Sequence, residues 1–327
     1  MLEHGGRLRA AVRTYQIPLE RWLDLSTGIS PFAWPVPAVP AAAWHRLPDD
    51  DDDLESVGKQ YYGARSLLPV AGSQAAIQAL PALRPASSVG VLAPGYAEHA
   101  HAWRRLGHRV SLASAQALLA DSDLFDVIVL MHPNNPGGEC FAVEPLLALH
   151  QRLAARGGWL VVDEAFIDAT PESSLCGYAG REGLVVLRSV GKFFGMAGAR
   201  AGFAFAWDWL LDALREQLGP WTLTGPTRHV LKLALADDVW QAGVIDRLHR
   251  ESARLARLLA RHGLEPTAGT AFFQWVCDPR AAHLHRMLAQ RGVLTRRFEM
   301  PPSLRFGLPG DDAAFDRLDR ALAGISA

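Results

Sequence analysis

The sequence predicts an α/β protein, with a mostly parallel central sheet in a large domain and a smaller α+β domain after it. Three observations predict this. From Leu54 onward, short apolar runs alternate with amphipathic stretches of helical period, and runs apolar on both faces are what a doubly covered parallel sheet requires. After about Trp221 the alternation gives way to one long amphipathic helix and shorter mixed elements. The length, 327 residues with 49% hydrophobic and 20% charged content, is enough for a sizeable core and a smaller companion.

Residues 1–48 read as an N-terminal arm with little regular structure, packing near the functional site and the small domain. Six prolines fall from Pro18 to Pro48, and Pro35, Pro37 and Pro40 forbid a continuous helix. The large domain, 49–220, carries expected helices at 54–62, 74–83, 99–106, 143–155 and 207–218. Its strands are expected at 89–92, 109–112, 127–131, 159–163 and 184–187. The small domain, 221–327, is expected to hold helices at 239–262, 280–290 and 312–323, a strand at 271–277, and further strands near Val293 and Leu304. The run Asp49 to Asp53 could suggest a cation site. Five adjacent carboxylates repel one another and cannot all turn toward one ion, so a solvated loop and helix N-terminus is the expectation.

A formal net charge of −1 gives no reason to expect nucleic acid or a membrane as partner. Cys140, Cys176 and Cys277 are far apart and form neither a zinc spacing nor a disulfide framework, so no metal is expected and the thiols read as free in a reducing, cytoplasmic setting. No apolar run is long enough to span a bilayer.

The chemistry centres on Lys192, in Ser189-Val190-Gly191-Lys192 after the apolar run Leu184 to Leu187. A lysine at the C-terminal end of a strand sits where open α/β sheets place their ligands, and its amine can form a Schiff base with an aldehyde cofactor. The plainer reading is a surface lysine beside a polar turn. Ser189 and Arg200 are candidates to hold a phosphate. Ala71-Gly72-Ser73-Gln74 opens a helix, where backbone N–H groups and the helix dipole attract anions, unless Ser73 is an ordinary cap. Tyr96, ending a strand in Pro94-Gly95-Tyr96, is either packed at a domain edge or a platform for a flat ring. Asn135, between Pro133 and Pro136, either belongs to a simple loop or is held to donate its amide to a cofactor oxygen. Asp163 ends a buried strand and can cap a helix, bind a metal, act as a base, or pair with a protonated ring nitrogen.

These pieces fall in the order phosphate cradle, aromatic, asparagine, aspartate, lysine, arginine. That order resembles the fold-type-I pyridoxal-phosphate-dependent transferases, and within them the histidinol-phosphate aminotransferase branch. The resemblance implies pyridoxal 5'-phosphate as cofactor, Lys192 as its Schiff-base lysine, and Asp163 as partner of the pyridinium nitrogen. It also implies Gly72, Ser73, Ser189 and Arg200, with Gln74 adjoining, at the cofactor phosphate, Tyr96 stacked on the ring, and Asn135 on the phenolic oxygen. Arg305, in Ser303-Leu304-Arg305-Phe306, matches the arginine that clamps a substrate carboxylate. The opening His4-Gly5-Gly6, followed by Asp24 to Pro31, is similar to the threonine-phosphate decarboxylases of cobalamin biosynthesis, where the arm helps bind the substrate's phosphate; His4 and Gly28 are the matching positions. Two departures stand out: Phe166 occupies a place where aminotransferases usually carry tyrosine, and Leu47-Pro48-Asp49 replaces a Tyr-Pro-Asp whose tyrosine reaches the neighbouring subunit's cofactor. The implied activity is decarboxylation of a small phosphorylated amino acid by a homodimer. The alternatives are a histidinol-phosphate-type aminotransferase and, from another class, a non-catalytic pyridoxal-binding regulatory module.

Overall fold

The computed structural model describes residues 5–326, so His4 lies outside the described residues. The chain forms two compact units. One takes residues up to Phe32, then Pro136–Gly138, then everything from Gly243 on; the other takes Ala33–Asn135 and Glu139–Ala242.

The arm is more regular than its prolines suggest. Leu8–Tyr15 is a helix, Leu23–Leu25 is a strand (β1), and Ala42–His45 is one short helical turn. The prolines begin only after Tyr15, and Leu8, Val12 and Tyr15 share one face that packs on Ala289, Leu294 and Trp22. β1 gains its hydrogen bonds far along the chain, pairing parallel with a strand at Val293–Phe298.

Seven strands follow in the larger unit: β2 (Leu68–Val70), β3 (Ser88–Leu92), β4 (Arg109–Ala113), β5 (Val127–Met131), β6 (Trp159–Asp163), β7 (Leu184–Ser189) and β8 (Gly202–Phe205). Their order is β2-β8-β7-β6-β5-β3-β4. Pairings among β3, β4, β5, β6 and β7 are parallel, whereas β8 runs antiparallel to both β7 and β2. β5 and β6 are buried at every position, which is why their sequences read as continuous apolar runs. The smaller unit adds β9 (Ala268–Thr270), β10 (Phe273–Cys277), β11 (Val293–Phe298) and β12 (Ser303–Gly307). With β1 they form a five-stranded sheet in the order β1-β11-β12-β10-β9.

The aspartate run does open the helix Leu54–Tyr62, but it is not simply solvated. The buried Arg228 guanidinium bonds to Asp52 at 2.6 and 3.0 Å and to Asp50 at 3.0 Å, and Lys232 donates to the Asp52 carbonyl at 2.6 Å. Burial pushes the Asp52 carboxyl up, but its bonds to Arg228 and the Leu54 N–H outweigh that and leave it below its ordinary value.

Candidate active site

Strand register assembles the site. Met131 pairs with Asp163 and Asp163 with Leu187, so β5, β6 and β7 end side by side. Ser189 and Val70 both pair with Gly202, so the antiparallel β8 brings the turn after β2 and the segment before β8 to the end of β7. Gly72, Ser73, Ser189 and Arg200 therefore converge although they are far apart in sequence. All nine residues expected around a cofactor (Gly72, Ser73, Gln74, Tyr96, Asn135, Asp163, Ser189, Lys192 and Arg200) line one cleft of about 620 Å³, solvent at its mouth included.

Gly72 has φ 73° and ψ 154°, a conformation essentially reserved for glycine. A Cβ there would lie 2.7 Å from Arg200 Nη2, so the guanidinium rests directly against the glycine backbone. Arg200 itself is left-handed at φ 50° and ψ 53°, rare for a residue with a Cβ. Gly202 is required as well, because a Cβ would stand 2.5 Å from the Arg188 carbonyl and 2.7 Å from Ser73 N. The result is a cradle of backbone amide, hydroxyls and one guanidinium, a donor set suited to a phosphate.

Tyr96 and Gln74 hold each other. The tyrosine hydroxyl donates to Gln74 Oε1 at 3.1 Å, and Gln74 Nε2 donates to Glu98 Oε2 at 2.9 Å. Burial, with Asp163 and Glu98 nearby, pushes the Tyr96 phenol up to about 12, so the hydroxyl keeps its proton through neutral pH.

Asp163 is 4% exposed. One oxygen accepts from Ala165 N at 3.1 Å, and the other lies 2.8 Å from His99 Nε2. An ionised carboxylate can only accept, which places a proton on that imidazole nitrogen. His99 is 1% exposed and was not expected from sequence. Its position three residues beyond Tyr96, on the helix Ala97–Arg105 that begins just after that tyrosine, is the signal that could have found it.

Lys192 stands on a single helical turn, Val190–Phe193, directly after β7. Phe193 and Phe194 are fully buried beside it, and Trp240 stacks on Phe194 with centroids 5.5 Å apart and planes at 14°. Two such rings contribute about 2–3 kcal/mol each by burial and fix the turn's seating. Trp34 N also donates to the Phe194 carbonyl at 2.9 Å. The Lys192 amine lies 5.8 Å from the centroid of Phe166.

Arg305 and Gly28 belong to the smaller unit. Arg305 is 6% exposed, donates to the Ser26 carbonyl at 2.8 Å, and stands across from Arg296 in the β11–β12 register. Burial and the Arg296 charge lower it to about 10, still cationic at neutral pH. Gly28 is buried in the arm segment after β1.

The chain belongs to the aminotransferase class I and II family, whose model matches residues 43–322. Among individual proteins it is similar to threonine-phosphate decarboxylase of Pseudomonas aeruginosa, at 58% identity over 325 residues covering 99% of this chain and 98% of that protein. It is also 42% identical to a threonine-phosphate decarboxylase of Sinorhizobium, over 98% of this chain and 97% of that one. Among solved structures, histidinol-phosphate aminotransferase from Sinorhizobium meliloti in complex with pyridoxal-5'-phosphate superposes with a TM-score of 0.85 at 21% identity, covering 99% of this chain and 95% of that one. That last likeness concerns the fold.

Proposed function

We propose that this chain is a pyridoxal-phosphate-dependent carboxy-lyase converting L-threonine O-3-phosphate to (R)-1-aminopropan-2-ol O-phosphate for cobalamin biosynthesis. The observation that carries the reading is its 58% identity, over nearly all of both chains, to a threonine-phosphate decarboxylase. The cleft suits the cofactor: a phosphate cradle whose glycine could take a Cβ only with backbone strain and a shift of Arg200, an aromatic side chain, an amide, a buried carboxylate and an amine line a single cavity. When bound, pyridoxal phosphate supplies an electron-accepting ring for the pair left by a bond broken at the substrate's α-carbon.

The residues divide the remaining work. Gly72, Ser73, Ser189 and Arg200 would hold the cofactor's phosphate, with Gln74 keeping Tyr96 in place beside it. Asn135 would bind the cofactor's phenolic oxygen, and Asp163, itself held by His99, would favour a protonated ring nitrogen. Lys192 would supply the amine that holds the cofactor's aldehyde group and a proton for the substrate's α-carbon. Arg305 binds the substrate carboxylate with its planar fork, and His4 and Gly28 serve the substrate phosphate. Holding the Cα–carboxylate bond in the orientation that breaks is a matter of positioning. Phe166 has no hydroxyl to bond the phenolic oxygen and leaves that task to Asn135, a pattern that favours decarboxylase over aminotransferase.

The protein acts in the cytoplasm as a homodimer in this reading. No helix among the described residues is long and apolar enough to cross a membrane. Val36, Trp44 and Leu47 are 55, 67 and 68% exposed, an apolar stretch suited to cover by a second copy.

The test is incubation of cofactor-loaded protein with threonine phosphate while carbon dioxide and amine-acceptor turnover are both followed. Carbon dioxide release without keto-acid formation is expected; stoichiometric keto acid from glutamate with no carbon dioxide would assign an aminotransferase instead. Gly72→Ala should weaken pyridoxal phosphate binding by about tenfold or more and cost about 1–3 kcal/mol of stability from backbone strain. Cofactor titration and thermal melting of the variant check both figures.

A further inference from the structure

Behind the cleft lies a buried ionic cluster that the mechanism above does not use. Successive strand residues face opposite ways. Arg188 therefore leaves β7 on the face opposite Ser189, and Glu164 leaves the end of β6 opposite Asp163. Arg188 is 3% exposed, Glu164 0% and Asp168 4%. The guanidinium bonds to Glu164 Oε2 at 3.2 Å, Asp168 Oδ1 at 2.6 Å and Ser174 Oγ at 3.0 Å, and stands 4.6 Å over the Tyr62 ring. Each carboxylate has further donors: Tyr61 OH at 2.9 Å on Asp168, and Ser174 Oγ at 2.6 Å and Leu175 N at 2.7 Å on Glu164. A third segment joins through His132, which accepts from Phe141 N and faces the Ser173 carbonyl, each at 3.2 Å.

Such a cluster is poor evidence for stability, because a buried ion pair replaced by apolar groups of similar volume is often no less stable. Its value is geometric. The backbone of Glu164 follows directly on Asp163, that of Arg188 precedes Ser189, and Lys192 is one helical turn further on. The His132–Phe141 bond closes the loop that carries Asn135. One guanidinium thus braces the strand end bearing the amine against the segment bearing the carboxylate.

We propose that Arg188 is a positioning residue for Lys192: bridging Glu164 and Asp168, it fixes the lysine turn relative to the Asp163–Phe166 segment so that the amine meets the cofactor's aldehyde carbon. This rests on the function proposed above. Burial alone would lower the Arg188 pKa, and Asp168, Cys176 and Glu164 reverse that, holding it well above its ordinary value, so the guanidinium stays charged at neutral pH, while burial pushes the Glu164 carboxyl up.

The experiment compares pyridoxal phosphate with pyridoxine phosphate, which lacks the aldehyde and cannot join Lys192. In the parent protein, condensation with the amine, releasing water, makes pyridoxal phosphate bind more tightly and gives a pH-dependent visible absorbance. Arg188→Met is expected to bind pyridoxine phosphate within about threefold of the parent, since only the Arg188 backbone borders the phosphate cradle and its side chain bonds to Glu164, Asp168 and Ser174 on the other face. Its preference for pyridoxal phosphate should fall by about tenfold or more, and its absorbance transition should move by about one pH unit, because small misplacements of reacting groups are costly. Arg188→Lys keeps a cation but cannot bridge two carboxylates in the same plane, and should show the same signature more weakly; it carries the test if the methionine variant does not fold. Equal losses for both ligands, or an unchanged absorbance transition in a folded variant, would overturn the proposal. A parent protein that shows neither the preference nor the absorbance would instead defeat the proposed function, so the two failures are distinguishable.

Discussion

Lys192→Ala protein should release carbon dioxide from threonine phosphate at least about 10⁴-fold more slowly than the parent, because the proposed function assigns both the nucleophilic amine and the proton to this one side chain. The losses compound, since alanine can neither hold the aldehyde carbon nor return a proton to the α-carbon. The fold should survive. Lys192 is only half-buried, and its turn is anchored by Phe193, Phe194 and Trp240 rather than by the lysine. Borohydride treatment of the parent with cofactor should add a stable label at this position, and mass spectrometry of the variant should find none. Full turnover in the variant would defeat the mechanism outright.

How much of this was legible depended on how far each residue's partner lies along the chain. β5 and β6 occur at the expected bounds, because an unbroken apolar run ending in a proline-rich or acidic turn is a local pattern. β2 has only three residues and contains Pro69, which a strand tolerates here because β2 is the edge of its sheet. β8 has four residues and follows the left-handed Arg200, so nothing nearby marks it, yet its antiparallel register assembles the phosphate cradle. The helix at Leu8–Tyr15 was hidden by reading the arm's prolines as a property of the whole arm. The residues that line the cleft could be picked out as candidates because all but Arg200 follow apolar runs that close in turns rich in glycine, proline or aspartate. His99 and Arg188 were not. Each acts through a carboxylate, 64 residues away for His99 and 24 and 20 away for Arg188, and neither spacing leaves a periodic trace.

The second large effect is expected at Asp163. Changing it to asparagine removes the negative charge that, in the proposed function, favours a protonated ring nitrogen, while keeping the shape. Each pKa unit lost at that nitrogen is worth about 1.4 kcal/mol of differential stabilisation. Removing one preorganised electrostatic partner from a buried site typically lowers turnover by about 10²–10³-fold, and that is the expected loss in kcat. The local structure tolerates the change: the asparagine oxygen can still accept from Ala165 N, and His99 can present an acceptor nitrogen to the new amide by changing tautomer. Melting behaviour should therefore change far less than activity. His99→Phe separates the layers, because it leaves the charge of Asp163 in place and removes one of its two bonds, for an expected loss of about tenfold. The double variant Asp163→Asn/His99→Phe should then be hardly slower than Asp163→Asn alone, since the histidine acts only through the carboxylate. Additive losses in that cycle would mean that His99 reaches the reaction by a route other than Asp163.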